Sequence, residues 1–115
     1  MIVDAKSRII AIYETDHGAR PFTEWLSFLR DKATVARINA RILRIQFGNF
    51  GDTKSVGSGV MELRLTFGGG YRVYYALDGD KLVVLLTGGD KSSQDKDIKT
   101  AHEYWSDYLR RNQNE

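Results

Sequence analysis

Two arginines, Arg64 and Arg72, stand in successive strand-like segments whose alternation puts both on one sheet face. In segment 60–67 (VMELRLTF), Met61, Leu63, Leu65 and Phe67 share one side, and Glu62, Arg64 and Thr66 share the other, because strand side chains alternate. In segment 71–80 (YRVYYALDGD), Arg72 and Tyr74 stand opposite Tyr71, Val73 and Tyr75. If the glycines at 68–70 form a hairpin loop, Thr66 is expected to pair with Arg72, and Arg64 with Tyr74. The two arginines then become diagonal neighbours, with Glu62 the acid beside them. Like charges held that close call for an anion. The chemistry open to this pair is therefore neutralisation of a negative charge.

The remaining elements must position that face. Segment 81–87 (KLVVLLT) follows an Asp78-Gly79 turn, and its continuous apolar run reads as a strand covered on both sides. Segment 8–14 (RIIAIYE), β-branched and aromatic, reads as a first strand. Pro21 suits the first turn of a helix, and Phe22, Trp25, Leu26 and Leu29 follow at helical spacing. Asp31 caps a second helix with Val35, Ile38, Ile42 and Ile45 as its buried stripe, and Gly48 ends it. The glycine-rich segment 48–59 reads as irregular, either a flexible connector or a binding loop. Ser92-Ser93-Gln94-Asp95 resembles a capping box opening a last helix, lined by Ile98, Ala101, Trp105 and Tyr108 or Leu109. The order β-α-α-β-β-β-α defines one α+β domain over residues 1–115, with a small, mainly antiparallel sheet packed against helices.

Composition narrows the classes. Apolar content of 42% with 28% charged residues is that of an ordinary globular chain. The net charge is +2, yet segment 30–54 carries Arg30, Lys32, Arg37, Arg41, Arg44 and Lys54 against Asp31 and Asp52. Such a field suits a polyanion or an acidic protein partner; it also fits a solvated helix face. With no cysteine and with His17 and His102 far apart, neither disulfides nor a zinc site is expected, and no cofactor is called for. The start, MIVDAKSRIIAIY, interrupts any signal-peptide core with charges, and no apolar run approaches a membrane span, so a cytoplasmic protein with no membrane partner is expected.

The element order, the Glu-Leu-Arg strand, the GYRVYY strand and the LLTGGDKSSQ strand-to-helix junction resemble the RelE/ParE superfamily of type II toxins. Within it they resemble the HigB-like, phage-derived addiction module killer group. The resemblance implies a RelE-like fold and an endoribonuclease that cleaves messenger RNA, commonly on the ribosome, and so inhibits translation. It also implies a cognate helix-turn-helix antitoxin and a toxin–antitoxin hetero-oligomer. By position, Arg72 matches the arginine that contacts the scissile phosphate, Lys91 another phosphate-side residue, and Arg64 the arginine of the Glu-Leu-Arg strand. The chain departs from RelE in having no tyrosine across Gln94-Asp95-Lys96-Asp97, and neither histidine matches those of the HigB relatives.

RNA cleavage of this kind asks for a base, an acid and a neutraliser of developing charge. Arg72 fits the third task with Arg64 in support, and Glu62 is expected to position Arg64. Lys91, Asp90, Tyr74 and His102 are candidates for moving the proton. Tyr74 shares the arginine face and could stack on a base, while Arg37, Arg41, Arg44 and Lys54 could hold the RNA backbone. Two other functions suit the same chain: a ParE-like poison of DNA gyrase, and a non-catalytic module binding nucleic acid or protein.

Overall fold

The computed structural model describes residues 7–112. Strands β1 (Ile9–Ile12), β2 (Thr53–Ser55), β3 (Val60–Arg64), β4 (Arg72–Asp78) and β5 (Leu82–Gly89) are joined by helices α1 (Pro21–Phe28) and α2 (Lys32–Gln46). Helix α3 (Gln94–Asn112) follows a short 3-10 turn, Lys91–Ser93. The sheet runs β1-β5-β4-β3-β2, with β1 parallel to β5 and every other pair antiparallel. The fold is α+β with a five-stranded mixed sheet.

The sheet separates two cores. Leu63, Leu65, Val73, Tyr75, Val83 and Leu85 meet Phe22 of α1 and Ile38, Ile42 and Ile45 of α2 on one face. On the other, Val60, Tyr74, Ala76, Val84 and Leu86 meet Ala101 and Trp105 of α3. The central strands β4 and β5 are thus buried on both sides. The face opposite Leu63 and Val73 was expected to be the polar one; here α3 covers it, and Tyr108, not Leu109, continues the buried line of α3.

Local chemistry sets the helix ends. The Asp31 carboxylate accepts from the Ala33 amide at 3.1 Å and the Thr34 hydroxyl at 2.9 Å, capping α2. At the other end, Gly48 at φ +88° lets the Gly48 and Asn49 amides reach the Ile45 and Arg44 carbonyls. This is the double-bonded terminus that only a left-handed residue permits. The cap ahead of α3 is Asp90, whose carboxylate accepts from the Ser92 amide at 2.8 Å, so the helical start lies earlier than a Ser92–Asp95 box.

Two expectations need correction. Segment 48–59 is not wholly irregular, because Thr53–Ser55 adds a short strand to the edge of β3. The left-handed run Gly57, Ser58, Gly59 (φ +93°, +55°, +84°) turns the chain back within a few residues. Edge pairing, a tertiary opportunity, outweighed weak local propensity. The β3–β4 register also differs: Arg64 pairs with Arg72 and Glu62 with Tyr74. The loop widens to residues 65–71, closed by the Leu65 amide on the Tyr71 carbonyl at 3.0 Å. Phe67, Tyr71 and Trp25 pack ring against ring and pull this loop onto the α1 side. Since the slip is two residues, every side chain keeps its face.

The end of α3 is clasped to the segment after β1. Tyr13, 3% exposed, donates to Asp107 at 2.6 Å, and its ring stacks on Tyr104. Burial and then the Asp107 contact push the Tyr13 hydroxyl from 10.0 to about 12, while the Tyr13 bond holds the Asp107 carboxyl below its usual range. A raised tyrosine stabilises the fold fully below pH 10, and that contribution is lost between pH 10 and about 12. The span corresponds to roughly 2–3 kcal/mol. Urea titrations at neutral and alkaline pH should show Tyr13→Phe less stable at pH 7, the difference from wild type closing as pH rises.

Candidate active site

On the sheet face toward α3, register sets Lys54, Glu62, Tyr74 and Thr87 in one row and Arg64, Arg72 and Gly89 in the next. Directly opposed residues of neighbouring strands share a face and lie close together. Arg64 and Arg72 are therefore nearer than the diagonal pairing implied. The second row ends in a residue without a side chain, and α3 fills that gap. A Cβ on Gly89 would run into the Asp97 carboxylate and crowd the Ser93 hydroxyl.

A bulge makes that arrangement. Tyr74 pairs with Thr87 and Tyr75 with Leu85, leaving Leu86 as the extra residue of β5. The insertion reverses the alternation beyond it. Gly88 then turns to α1, where a Cβ would overlap the Trp25 ring, and Gly89 turns to Asp97. Gly89→Ala must lift the start of α3, and overpacking of this sort costs about 1–3 kcal/mol. Its thermal midpoint should fall accordingly, which differential scanning fluorimetry can read.

Electrostatics at the rows differ from a bare cationic pair. Glu62 is fully buried, and its Oε2 accepts from Gln94 Nε2 at 2.9 Å and Tyr74 Oη at 3.2 Å. The same oxygen lies 3.5 Å from Arg72 Nε. Glu62 was expected to position Arg64; it holds Arg72 instead. Arg64 reaches Asp52 at 3.1 Å, an ion pair open to solvent. The reason is geometric: Glu62 lies inward of the arginine row, under α3, where Arg72 bends back to it and Arg64 at the sheet margin does not. Arg72 Nη1 also donates to the Gly70 carbonyl at 2.7 Å. These contacts fix the guanidinium plane and leave Nη2 without a hydrogen bond among the described residues.

Lys91 starts the 3-10 turn just past Gly89, with its Cβ and Arg72 Nη1 both against Gly70. Its side chain is exposed and makes no bond among the described residues. A cleft of about 430 Å³ opens here, lined by Lys91, Ser92, Ser93, Gln94, Asp95 and Lys96. A larger cleft, about 640 Å³ between α3 and the 57–59 turn, includes His102 and Ser58. It gathers no such convergence of cations, and His102 Nε2 donates to the Val56 carbonyl at 2.9 Å.

The other expected residues fall in several places. Tyr74 is fully buried, so it offers no ring face for a base; its hydroxyl, pushed up by burial and then by Glu62, stays protonated and donates to Glu62. Asp90 is held below the usual carboxylate range by the Ser92 hydroxyl and amide, as befits a cap. Lys54 is exposed on the edge strand opposite Glu62. Arg37, Arg41 and Arg44 lie across the sheet, on α2. Asp97 was not among the residues expected at the site. Burial pushes its carboxyl up, and Ser93 Oγ donates to it at 2.5 Å. The Gly88-Gly89 pair was the available signal, marking where another element approaches the strand.

Fold and geometry together define a small α+β protein in which two register-paired arginines, one braced by a buried carboxylate, lie at one end of a mixed sheet. The chain belongs to the family described as Phage derived protein Gp49-like (DUF891), whose profile matches residues 24–105. It is also 60% identical over 80 residues to an uncharacterized protein of Haemophilus influenzae, a stretch covering 70% of this chain and 81% of the relative. No helix among the described residues is long and apolar enough to cross a membrane.

Proposed function

We propose that this protein is the toxin of a type II toxin–antitoxin pair and acts as an endoribonuclease on messenger RNA. Membership of the phage-derived Gp49-like family supports a toxin of the RelE and HigB kind. The observation that carries the enzymatic reading is the Arg64–Arg72 register pair beside Lys91, with Arg72 braced by the buried Glu62. A structural salt bridge alone would not need a second arginine opposite the first.

In this reading the RNA 2′-hydroxyl gives up its proton as its oxygen attacks the adjacent phosphorus, and the 5′-oxygen leaves taking up a proton, giving a 2′,3′-cyclic phosphate and a 5′-hydroxyl. Arg72 meets the developing negative charge through Nη2, where a fixed donor costs nothing to reorganise as the charge forms. Arg64 joins by releasing Asp52, an exposed pair worth little to the fold. Of the four proton-transfer candidates, Tyr74 and His102 are committed to Glu62 and Val56, and Asp90 to its cap. Lys91 is the one whose side chain is left for the substrate. The antitoxin, a helix-turn-helix partner, would silence the toxin by covering this face.

The test is translation in a purified ribosome system with 5′-end mapping. New message ends with wild type, absent with Arg72→Lys, support the proposal. Intact messages with wild type, or gyrase-dependent DNA breaks in their place, would refute it.

A further inference from the structure

Across the sheet from Arg64 lies a cleft of about 330 Å³ lined by Arg37, Ala40, Arg41, Arg44, Thr66 and Phe67. Helix α2 contributes its arginines at i, i+4 and i+7 and contains no acidic residue from Lys32 to Gln46. Among the described residues, none of the three makes an ion pair. Like charges at such spacings oppose helix formation, so a solvated helix face would ordinarily interleave acids.

The three arginines differ in how they are held. Arg41 is part-buried: Nη1 donates to the Arg64 carbonyl at 3.1 Å and Nη2 to the Phe50 carbonyl at 3.3 Å. It forms the floor of the cleft and ties it to the backbone of a site residue. Arg37 lies over the Phe67 ring, 5.1 Å from its centre, which orders the guanidinium without neutralising it. Arg44 is exposed. Thr66 and Phe67 are the second and third residues after Arg64, so the cleft wall is the outgoing end of the strand that carries the site. At about 3.3 Å per residue, Thr66 lies within roughly 7 Å of Arg64 along the chain.

We infer that this cleft is a second phosphate-binding subsite, which holds the backbone of the same RNA strand as it passes over the β3–β4 loop from the Arg64–Arg72 row. The inference rests on the endoribonuclease reading for its ligand, and on the unneutralised α2 arginines for its place. Single-stranded RNA fits the cleft because it can bend around a strand end, and because ordered guanidinium groups bind phosphate oxygens in pairs.

The test is fluorescence anisotropy with a single-stranded RNA 2′-O-methylated at every position, so that no 2′-hydroxyl can attack, titrated across salt concentrations. Arg37→Gln with Arg44→Gln should weaken binding about tenfold or more at low salt. It should also make the log–log salt slope shallower by about 0.7 for each phosphate no longer neutralised. Arg37→Lys with Arg44→Lys, keeping the charges, should restore most of the slope. Wild-type slope and affinity in the Gln pair, with an unchanged thermal midpoint, overturns the subsite. If that pair binds RNA normally but loses affinity for polyglutamate, the cleft serves an acidic protein segment and the inference is equally overturned. A wild-type protein that binds the modified RNA through these arginines yet cleaves no unmodified message sustains the subsite while refuting the nuclease.

Discussion

On the endoribonuclease reading, replacing Arg72 with alanine is expected to slow RNA cleavage by about a hundred- to a thousandfold, the loss that follows removal of one preorganised donor to a developing anion. The same change strands Glu62, whose side chain is fully buried, without its cation. Breaking a buried pair from one side costs about 3–5 kcal/mol. Activity and stability would fall together, and the alanine variant by itself would not separate them. Arg72→Met combined with Glu62→Leu and Tyr74→Phe should separate them. Apolar groups of similar volume in place of a buried ionic cluster are often neutral or stabilising, so this triple variant should recover the urea midpoint and remain inactive. Recovery of cleavage along with stability would show that Arg72 is architectural.

Glu62→Gln tests the brace from the other side. The amide keeps the size of the side chain and can still accept from Tyr74 and Gln94, both of which meet Oε2. It cannot neutralise Arg72, whose side chain is 12% exposed and can turn toward water. Stability should fall by about 1–3 kcal/mol, the range for leaving a buried polar group poorly satisfied. Cleavage should fall by up to about a hundredfold, since small misplacement of a catalytic group is that costly. The loss should appear in kcat with KM little changed, because Glu62 is fully buried and acts through Arg72. A variant that loses stability but keeps wild-type kcat under conditions where it is folded would show that Glu62 only fills the core.

Local rules account for much of what these experiments use. Helices α1 and α2 follow from Pro21, the Asp31 cap, the stripe Ile38, Ile42, Ile45 and the Gly48 stop, each satisfied within a few residues. Alternation put Arg64 and Arg72 on one face, and that survived a register slip because a two-residue shift preserves facing. The double burial of β5 was legible in its unbroken apolar run.

What the tertiary structure alone decided is who touches whom. Strand β2 exists because β3 had a free edge, which propensity in a glycine-rich segment does not reveal. The Leu86 bulge, set by packing on both sheet faces, turned Gly89 toward α3 and admitted Asp97 beside the arginine row. Arg72 went to Glu62 and Arg64 to Asp52 because α3 closed over one strand position and stopped short of the next. The chain by itself determined a pair of arginines on a shared face. Packing determined that one would be held rigid by a buried carboxylate and the other left loosely paired, because desolvation depends on the element overhead and not on neighbours in sequence.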